Sequence, residues 1–395
     1  MVTFLPFPGY RPVLKNGEKI EDRISPPYDV IGKEYLRVLQ EHENNVTNLT
    51  LKPDVDRRYK GSRKELERML SDGSLRQDRD SFYLYEQVFD DHGMKKTRRG
   101  LVGILKTESY EEGNVIPHEE TFYKVKEDRL NLIRDMETHL ESIFGIFEGL
   151  SPELDKKASN TAKLIYRYMD GSGVDHRFHI IDDADIQKQI TAELGTQKML
   201  IADGHHRYET ALNYSLENPD DKRKGYVLAT LVSAKDEGLV VWPTHRLVGS
   251  ADVSIEDAKR LISGAMRAEK VSPDRMEAEL KDWMMGLVFK DGDCFLASYD
   301  KGQKELCKLD TYVVQELILK KIYGYDEGRS VVEYEAELPN VKKIMQEGRI
   351  DLAIVLNDPS LKAIWDLSMK GIRMPKKTTF FFPKIWSGFV FYKMG

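Results

Sequence analysis

With only two cysteines, Cys294 and Cys307, in 395 residues, the chain cannot build a disulfide framework or a cysteine zinc site, which suits a reducing cytoplasm. No run approaches the roughly 18 apolar residues that a membrane-spanning helix needs. The first residues, MVTFLPFPGYRP, lack a charged leader followed by an apolar core. Neither export nor a membrane span is expected. Positive charge is not in excess either: 60 Lys and Arg stand against 66 Asp and Glu, a formal net charge of -6. The basic residues are scattered, whereas a protein that neutralises a phosphate backbone concentrates them. Nucleic acid is therefore not an expected partner. No repeat of fixed period and no low-complexity tract is present.

What is present is an ordinary globular composition, 41% hydrophobic, long enough for two or three domains with a buried core in each. Residues 1–60 read as loop-rich, with PPYD at 26–29. Ser62 and Glu65 then have the spacing of a capping box, followed by the apolar face Leu66, Met69 and Leu70 and by Gly73, which predicts a helix. FYLYEQVF (82–89) and RGLVGILK (99–106) flank the polar turn DDHG and predict a hairpin. EDRLNLIRDMETHLE (127–141) has helical periodicity, IFGIFEGL reads as a strand, and RFHIID (177–182) reads as a further hairpin or edge strand. Beyond VGSADVS the pattern changes to helices at 254–265, 273–284 and 310–324, the second with Ser272 as N-cap and Pro273 at N1. Strand-like runs follow at 294–299, 352–356, 378–382 and 388–392. Alternating helices and strands predict a layered α/β unit, and the domain boundary is placed near residue 249.

The densest polar motif lies in IADGHHRYETAL, residues 201–212. KMLIA (198–202) reads as a short buried strand and YETALNYSLE (208–217) as a helix, so Asp203, Gly204, His205, His206 and Arg207 occupy the turn and the first helical turn. A helix N-terminus carries a partial positive charge and outward N–H groups, which favours anions. Arg207 adds a guanidinium fork suited to phosphate, Gly204 permits close backbone approach, and His205 and His206 add donors. Asp203 suits a metal ion or the orienting of a histidine, and equally a plain N-cap. Adjacent histidines point in different directions, so one of the two faces a ligand at most.

Four other groups are candidates. Tyr28 and Asp29 in PPYDV suit base stacking and a hydroxyl contact, or simply a turn into a strand. His118 and Glu119 precede Lys124, Lys126, Asp128 and Arg129, a mixed-charge group suited to a phosphorylated or zwitterionic small molecule, or to a solvated helix start. His245 and Arg246 follow GLVVW, at a strand end of the kind where open α/β sheets place ligands. Lys376 and Lys377 precede TTFFF, where surface lysines are the common case.

IADGHHRYETAL resembles the signature of the domain-of-unknown-function family numbered one thousand and fifteen. FPGYRP (7–12), ISPPYDVI (24–31), IPHEETFYKVKEDRLNLIRD (116–135), WPTHRLV (242–248) and MPKKTTFFFPKIWSGFVF (374–391) extend the resemblance along the chain. More remotely, DGHHR between a strand and a helix is similar to the nucleotide-phosphate motif of the ParB/sulfiredoxin-like fold. Members of that fold include a partition CTPase, an ATP-using peroxiredoxin-repair enzyme and an archaeal ADP-dependent free serine kinase, whose motif has the same form. The resemblance implies an α/β (α+β) chain: a ParB/sulfiredoxin-like mixed-sheet nucleotide-binding domain with insertions over 1–249, and a smaller α/β domain over 250–395. It implies a phosphate site at Asp203–Arg207, with ATP or ADP and Mg²⁺ as cofactors and Asp203 as the metal ligand.

The expected function is thus a nucleotide-dependent kinase of a small hydroxyl metabolite such as serine. Phosphoryl transfer needs positioning, charge neutralisation and a carboxylate to take the acceptor's proton. Glu119, with His118, is expected on the acceptor side, Asp203 beside the phosphates, and Asp29 in reserve. The alternative is a nucleotide-binding regulatory or scaffold protein without turnover. A metal-dependent hydrolase built from His118, Glu119, His205 and His206 lacks the usual ligand spacing, and redox repair lacks a cysteine beside the motif.

Overall fold

The computed structural model describes the chain except residues 16, 120–122, 250–252, 300–304 and 326–331, and gives the backbone alone at 123–126. It is a mixed α/β protein with a large mixed sheet and several helices. Two compact units make it up. The first comprises Met1–Pro117, Thr121–Leu239 and Pro383–Gly395, and the second His118–Glu120 and Val240–Phe382. The chain thus leaves the first unit after Leu239 and returns to it at Pro383.

The first unit is built on nine strands: β1 (Phe4–Leu5), β2 (Phe82–Asp91), β3 (Met94–Lys106), β4 (Val115–Ile116), β5 (Ile143–Phe147), β6 (Lys163–Met169), β7 (Asp175–Ile181), β8 (Met199–Asp203) and β9 (Tyr226–Ser233). Their order is β4-β8-β5-β9-β3-β2-β7-β6, with β1 on β3. The pairs β8–β4 and β9–β5 are parallel and the rest antiparallel. The predicted hairpin is β2–β3. His92 and Gly93 turn it, with φ 51° and 85°, the double positive φ that matches the twist of a two-residue turn. β8 is buried from Met199 to Ala202, as a continuous apolar run inside a sheet should be.

The helix expected to start from an N-cap at Ser62 starts three residues earlier, Lys60–Ser71, with Tyr59 as N-cap. The Ser62 hydroxyl donates instead to the Asn48 and Lys52 carbonyls. A buried carboxylate elsewhere does the fixing: Asp135 accepts from the Tyr59 N–H at 2.8 Å and from Arg58. Leu66 and Met69 still face the core, beside Leu132, Met136 and Phe391. The second predicted helix runs Tyr123–Met136 and stops short of Leu140, which is buried in the same cluster. Residues 1–60 hold short helices at Lys33–Glu41 and Thr47–Thr50.

The second unit carries a six-stranded sheet of β10 (His245–Gly249), β11 (Arg267–Lys270), β12 (Met284–Phe289), β13 (Cys294–Ser298), β14 (Val332–Glu335) and β15 (Ile350–Leu356). The order is β11-β13-β12-β15-β10-β14, antiparallel throughout. The helix expected over 273–284 ends at Glu279, because its last residues open β12. Its predicted cap is present, the Ser272 hydroxyl accepting from the Arg275 N–H at 3.2 Å. The helix expected over 310–324 is a single α-turn, Asp310–Val313, that runs on as a wider π-helix to Lys320. No helix among the described residues is long and apolar enough to cross a membrane.

Each unit buries a neutral histidine. His139 stacks on Tyr392 with ring centroids 6.0 Å apart and planes within 4°, and burial pushes its imidazole down to about 4. His245 accepts the Leu356 N–H at 3.1 Å. Burial, with Arg246 adding to it, also pushes this ring down to about 4. As pH falls, the unfolded chain takes up these protons near 6.5 and the folded chain only near 4, so stability is full above about 6.5 and drains away between those values. At pH 5 the loss should be about 2 kcal/mol per histidine. Urea midpoints at pH 7.5 and 5.0 test this: His139→Phe should shrink the difference, and identical midpoints for the wild type would refute it.

Candidate functional site

β8 delivers Asp203 at its C-terminal end, and the helix His205–Glu217 starts two residues on with Gly204 as its N-cap. Gly204 has φ 89°, and a Cβ there would lie 3.1–3.2 Å from the Arg207 guanidinium. An L side chain is strained at that angle, so glycine lets the strand turn into the helix while Arg207 folds back over the turn. Arg207 also donates to the Ser142 carbonyl.

Asp203 does not cap the helix in the usual way. Its Oδ1 accepts from the Gly204 N–H at 2.7 Å, and its Oδ2 accepts from Lys384 Nζ at 2.9 Å. Burial alone would push this carboxyl up. The charges of Lys384 and Arg207 and the two hydrogen bonds outweigh it, and the carboxyl sits well below the usual range. Lys384 moves the matching way: burial lowers its ammonium, but Asp203 and Asp29 raise it further, so it stays charged. The pair is partly open, with side-chain exposures of 27% for Asp203 and 14% for Lys384.

Tyr28 and Asp29, on a 3₁₀ turn at Tyr28–Val30, join the same cluster. Burial pushes the Tyr28 hydroxyl up to about 12, with Arg207, Asp29, Glu141 and Arg129 the charges that act on it. The Arg129 guanidinium lies 5.0 Å from the Tyr28 ring centroid. Arg129 Nη2 donates to the Thr50 carbonyl at 3.1 Å and the Tyr59 hydroxyl at 3.0 Å. Its Nη1, buried, has no hydrogen-bond acceptor among the described residues, the Glu141 carboxylate being 3.7 Å away. Three cations, Arg129, Arg207 and Lys384, thus stand among four carboxylates, Asp29, Asp128, Glu141 and Asp203.

Of the two histidines His205 is buried and His206 half-buried. His118, Glu119, His245, Arg246, Lys376 and Lys377 lie in the second unit. His118 is fully buried, its Nε2 2.9 Å from the Thr379 hydroxyl. Glu119 Oε1 accepts from the Thr378 and Thr379 N–H groups at 3.1 and 3.3 Å and from the Thr379 hydroxyl at 3.3 Å. These contacts fasten Glu119 to the 377–379 turn. His245 and Arg246 are buried within β10. Arg246 donates to the Thr244 and Lys377 carbonyls, so the pair is structural where the sequence suggested a ligand. The side chains of Lys124 and Lys126 lie outside the described residues.

Sequence reading missed Lys384 and Glu141. Lys384 stands in the stretch MPKKTTFFFPKIWSGFVF, where attention fell on Lys376 and Lys377. No local pattern marks it, because its partner is 181 residues away.

The family model for "Protein of unknown function (DUF1015)" matches residues 4–317, and the chain belongs to that family. No curated protein matches it. Among solved structures the chain is similar to a conserved hypothetical protein from Pyrococcus furiosus, at 14% identity and TM-score 0.39, over 69% of this chain and 89% of that one. It is similar to a free serine kinase in complex with AMP, at 14% identity and TM-score 0.38, over 68% of this chain and 83% of that one. A third likeness is to SbnI with a C-terminal truncation from Staphylococcus aureus, at 12% identity and TM-score 0.38, over 72% and 85%.

Asp203→Asn keeps the shape of the side chain and removes the charge that pairs with Lys384 at 2.9 Å. The expected cost, for a half-buried charge-assisted pair, is about 1–3 kcal/mol of folding stability. Chemical denaturation at pH 7 measures it, and an unchanged midpoint would show that the pair contributes nothing.

Proposed function

We propose that this member of the DUF1015 family is a nucleotide-dependent phosphotransferase. It acts on a small hydroxyl-bearing metabolite, serine or a relative of it, and the Asp203–Arg207 turn receives the nucleotide phosphates. The observation that carries the reading is the gathering of Arg207, Lys384 and Arg129 at the N-terminus of the helix His205–Glu217. Three cations beside a helix N-terminus suit a polyphosphate, and the Tyr28 ring beside them suits a base. ATP or ADP is the donor in this reading, which carries with it a nucleotide-binding part over 1–249, a second domain over 250–395 and a cytoplasmic setting.

Among the described residues no group of three or more His, Cys, Asp or Glu could hold a metal ion. Mg²⁺ in phosphoryl transfer needs only one or two carboxylates besides the phosphates, so Asp203 fits an ion that arrives with the nucleotide. Such an ion neutralises phosphate charge, which this site, where carboxylates outnumber the three cations, leaves in need of it. In the transfer the acceptor's hydroxyl oxygen bonds to the terminal phosphorus as the bond to the bridging oxygen breaks, and a carboxylate takes the hydroxyl proton. That role falls to Glu119, with His118 beside it, and Asp29 in reserve.

One observation favours a second reading, a nucleotide-binding regulatory protein without turnover. The Glu119 carboxylate is already engaged by the Thr378 and Thr379 amides, and an acceptor of backbone hydrogen bonds is a weakened base. Glu119→Gln separates the two readings, since the amide oxygen can still accept those N–H groups. The kinase reading expects unchanged nucleotide affinity and turnover at least about 100-fold lower; full turnover in the variant removes Glu119 from the mechanism.

Thermal shift with ATP and ADP, each with and without Mg²⁺, tests the reading as a whole, because a ligand of the native state raises the melting point. No shift at millimolar nucleotide would sink it. Arg207→Ala should weaken binding by about 1.5–3 kcal/mol, the scale of a lost charge-assisted hydrogen bond. The Ser142 carbonyl loses its donor in the same variant, so affinity is to be measured below its melting transition. Binding of wild-type strength in the folded variant would make Arg207 structural only.

A further inference from the structure

Pro383–Gly395 is part of the first unit although it follows 143 residues assigned to the second, Val240–Phe382. It is built in along its whole length. Phe389, Phe391 and Met394 are buried, and Tyr392–Lys393 pairs with Thr138–His139. Tyr10 and Phe391 exchange backbone hydrogen bonds at 3.0 and 2.7 Å.

The start of this segment is held as firmly. Arg98 donates to the Pro383 carbonyl, and the Gln87 side chain to the Lys384 carbonyl at 2.8 Å. The Trp386 N–H reaches the Tyr85 hydroxyl at 3.4 Å. That hydroxyl is tied to a buried chain, 2.7 Å from His176 Nδ1, with His176 Nε2 3.1 Å from Asp170. Next, Ser387 and Ser25 exchange backbone hydrogen bonds at 2.8 and 3.0 Å. The contact is close enough that Gly388, at φ 103°, has no room for a Cβ, which would lie 2.7 Å from the Arg23 carbonyl oxygen. Ser25 is three residues before Tyr28, and Ser387 three after Lys384. The bridge therefore fixes the Tyr28–Asp29 turn and Lys384 against each other.

A lysine whose main chain is pinned on both sides can place its ammonium reproducibly. The ammonium donates to Asp203, a carboxylate that the Gly204 N–H also stabilises. A compact ammonium at a helix N-terminus beside a folded-back arginine is a common way to hold phosphate. Resting on the nucleotide reading above, we propose that Lys384 is a phosphate-contacting residue of this site, brought to it by the C-terminal segment through the Ser25–Ser387 bridge.

The test is equilibrium binding of ADP and of inorganic pyrophosphate, with Mg²⁺, to the full-length wild type, Lys384→Met and Lys384→Arg. Lys384→Met should bind both ligands at least about ten-fold more weakly, the scale of a lost charge-assisted hydrogen bond. Lys384→Arg, which keeps the charge, should recover most of that loss. Equal affinity in wild type and Lys384→Met would overturn the proposal while leaving the nucleotide reading intact; a wild type that binds no nucleotide removes that reading instead. If Lys384→Met does not fold, amine acetylation of the wild type followed by mass spectrometry decides. ADP should protect Lys384 and leave the exposed Lys235 reactive, and equal labelling of Lys384 with and without ADP overturns the proposal.

Discussion

The contact on which the candidate site depends is the ion pair between Asp203 and Lys384, 2.9 Å long, at the mouth of the helix His205–Glu217. An aspartate at the end of a buried strand is costly unless it is paired. Here it finds the Gly204 N–H, the helix N-terminus and an ammonium from the far end of the chain. In return it holds that ammonium beside Arg207. The left-handed Gly204 makes this possible, because only with no Cβ can the Arg207 guanidinium close over the turn. Strand, turn, arginine and lysine are one electrostatic unit, and the carboxylates around it offset their positive charge.

A site of balanced charge behaves differently from an open basic patch. It stays folded and hydrated without ligand, since each charge has a counter-charge nearby, and an arriving anion must bring or displace something. The Arg129 Nη1 shows where balance is incomplete: a buried donor that makes no hydrogen bond among the described residues, beside the Tyr28 ring and across from Glu141. Buried polar groups of this kind are few in a folded protein and call for a reason. A ligand's oxygen is one reason, and the location beside Tyr28 is consistent with it.

Much of the fold was legible from short-range pattern. The β2–β3 hairpin, β5, β8 and the helix after Gly204 fall close to where periodicity and turn chemistry put them. So does the Ser272 cap, which accepts from the Arg275 N–H. Errors arose where a distant group overrode a local rule. Ser62 has capping spacing, but the helix starts three residues earlier because Asp135, 76 residues from Tyr59, receives the Tyr59 N–H. The helix read over 273–284 took in Met284, the first residue of β12, because methionine suits either structure. Only the pairing of β12 with β13 and β15 settles the matter.

The sequence by itself determined the family and the chemical character of DGHHR: a strand end, a glycine, and charged groups at a helix start are all local, and their consequences follow from backbone geometry. Tertiary structure alone decided which other charges meet them. Lys384, Glu141 and Arg129 come from separate parts of the chain, and long-range electrostatic partners leave no periodic trace. It also decided that His245 and Arg246 are core residues, because burial depends on which strand lies alongside. Local pattern fixes what a segment can become, while the partner of a buried charge is set by the packing that takes it out of water.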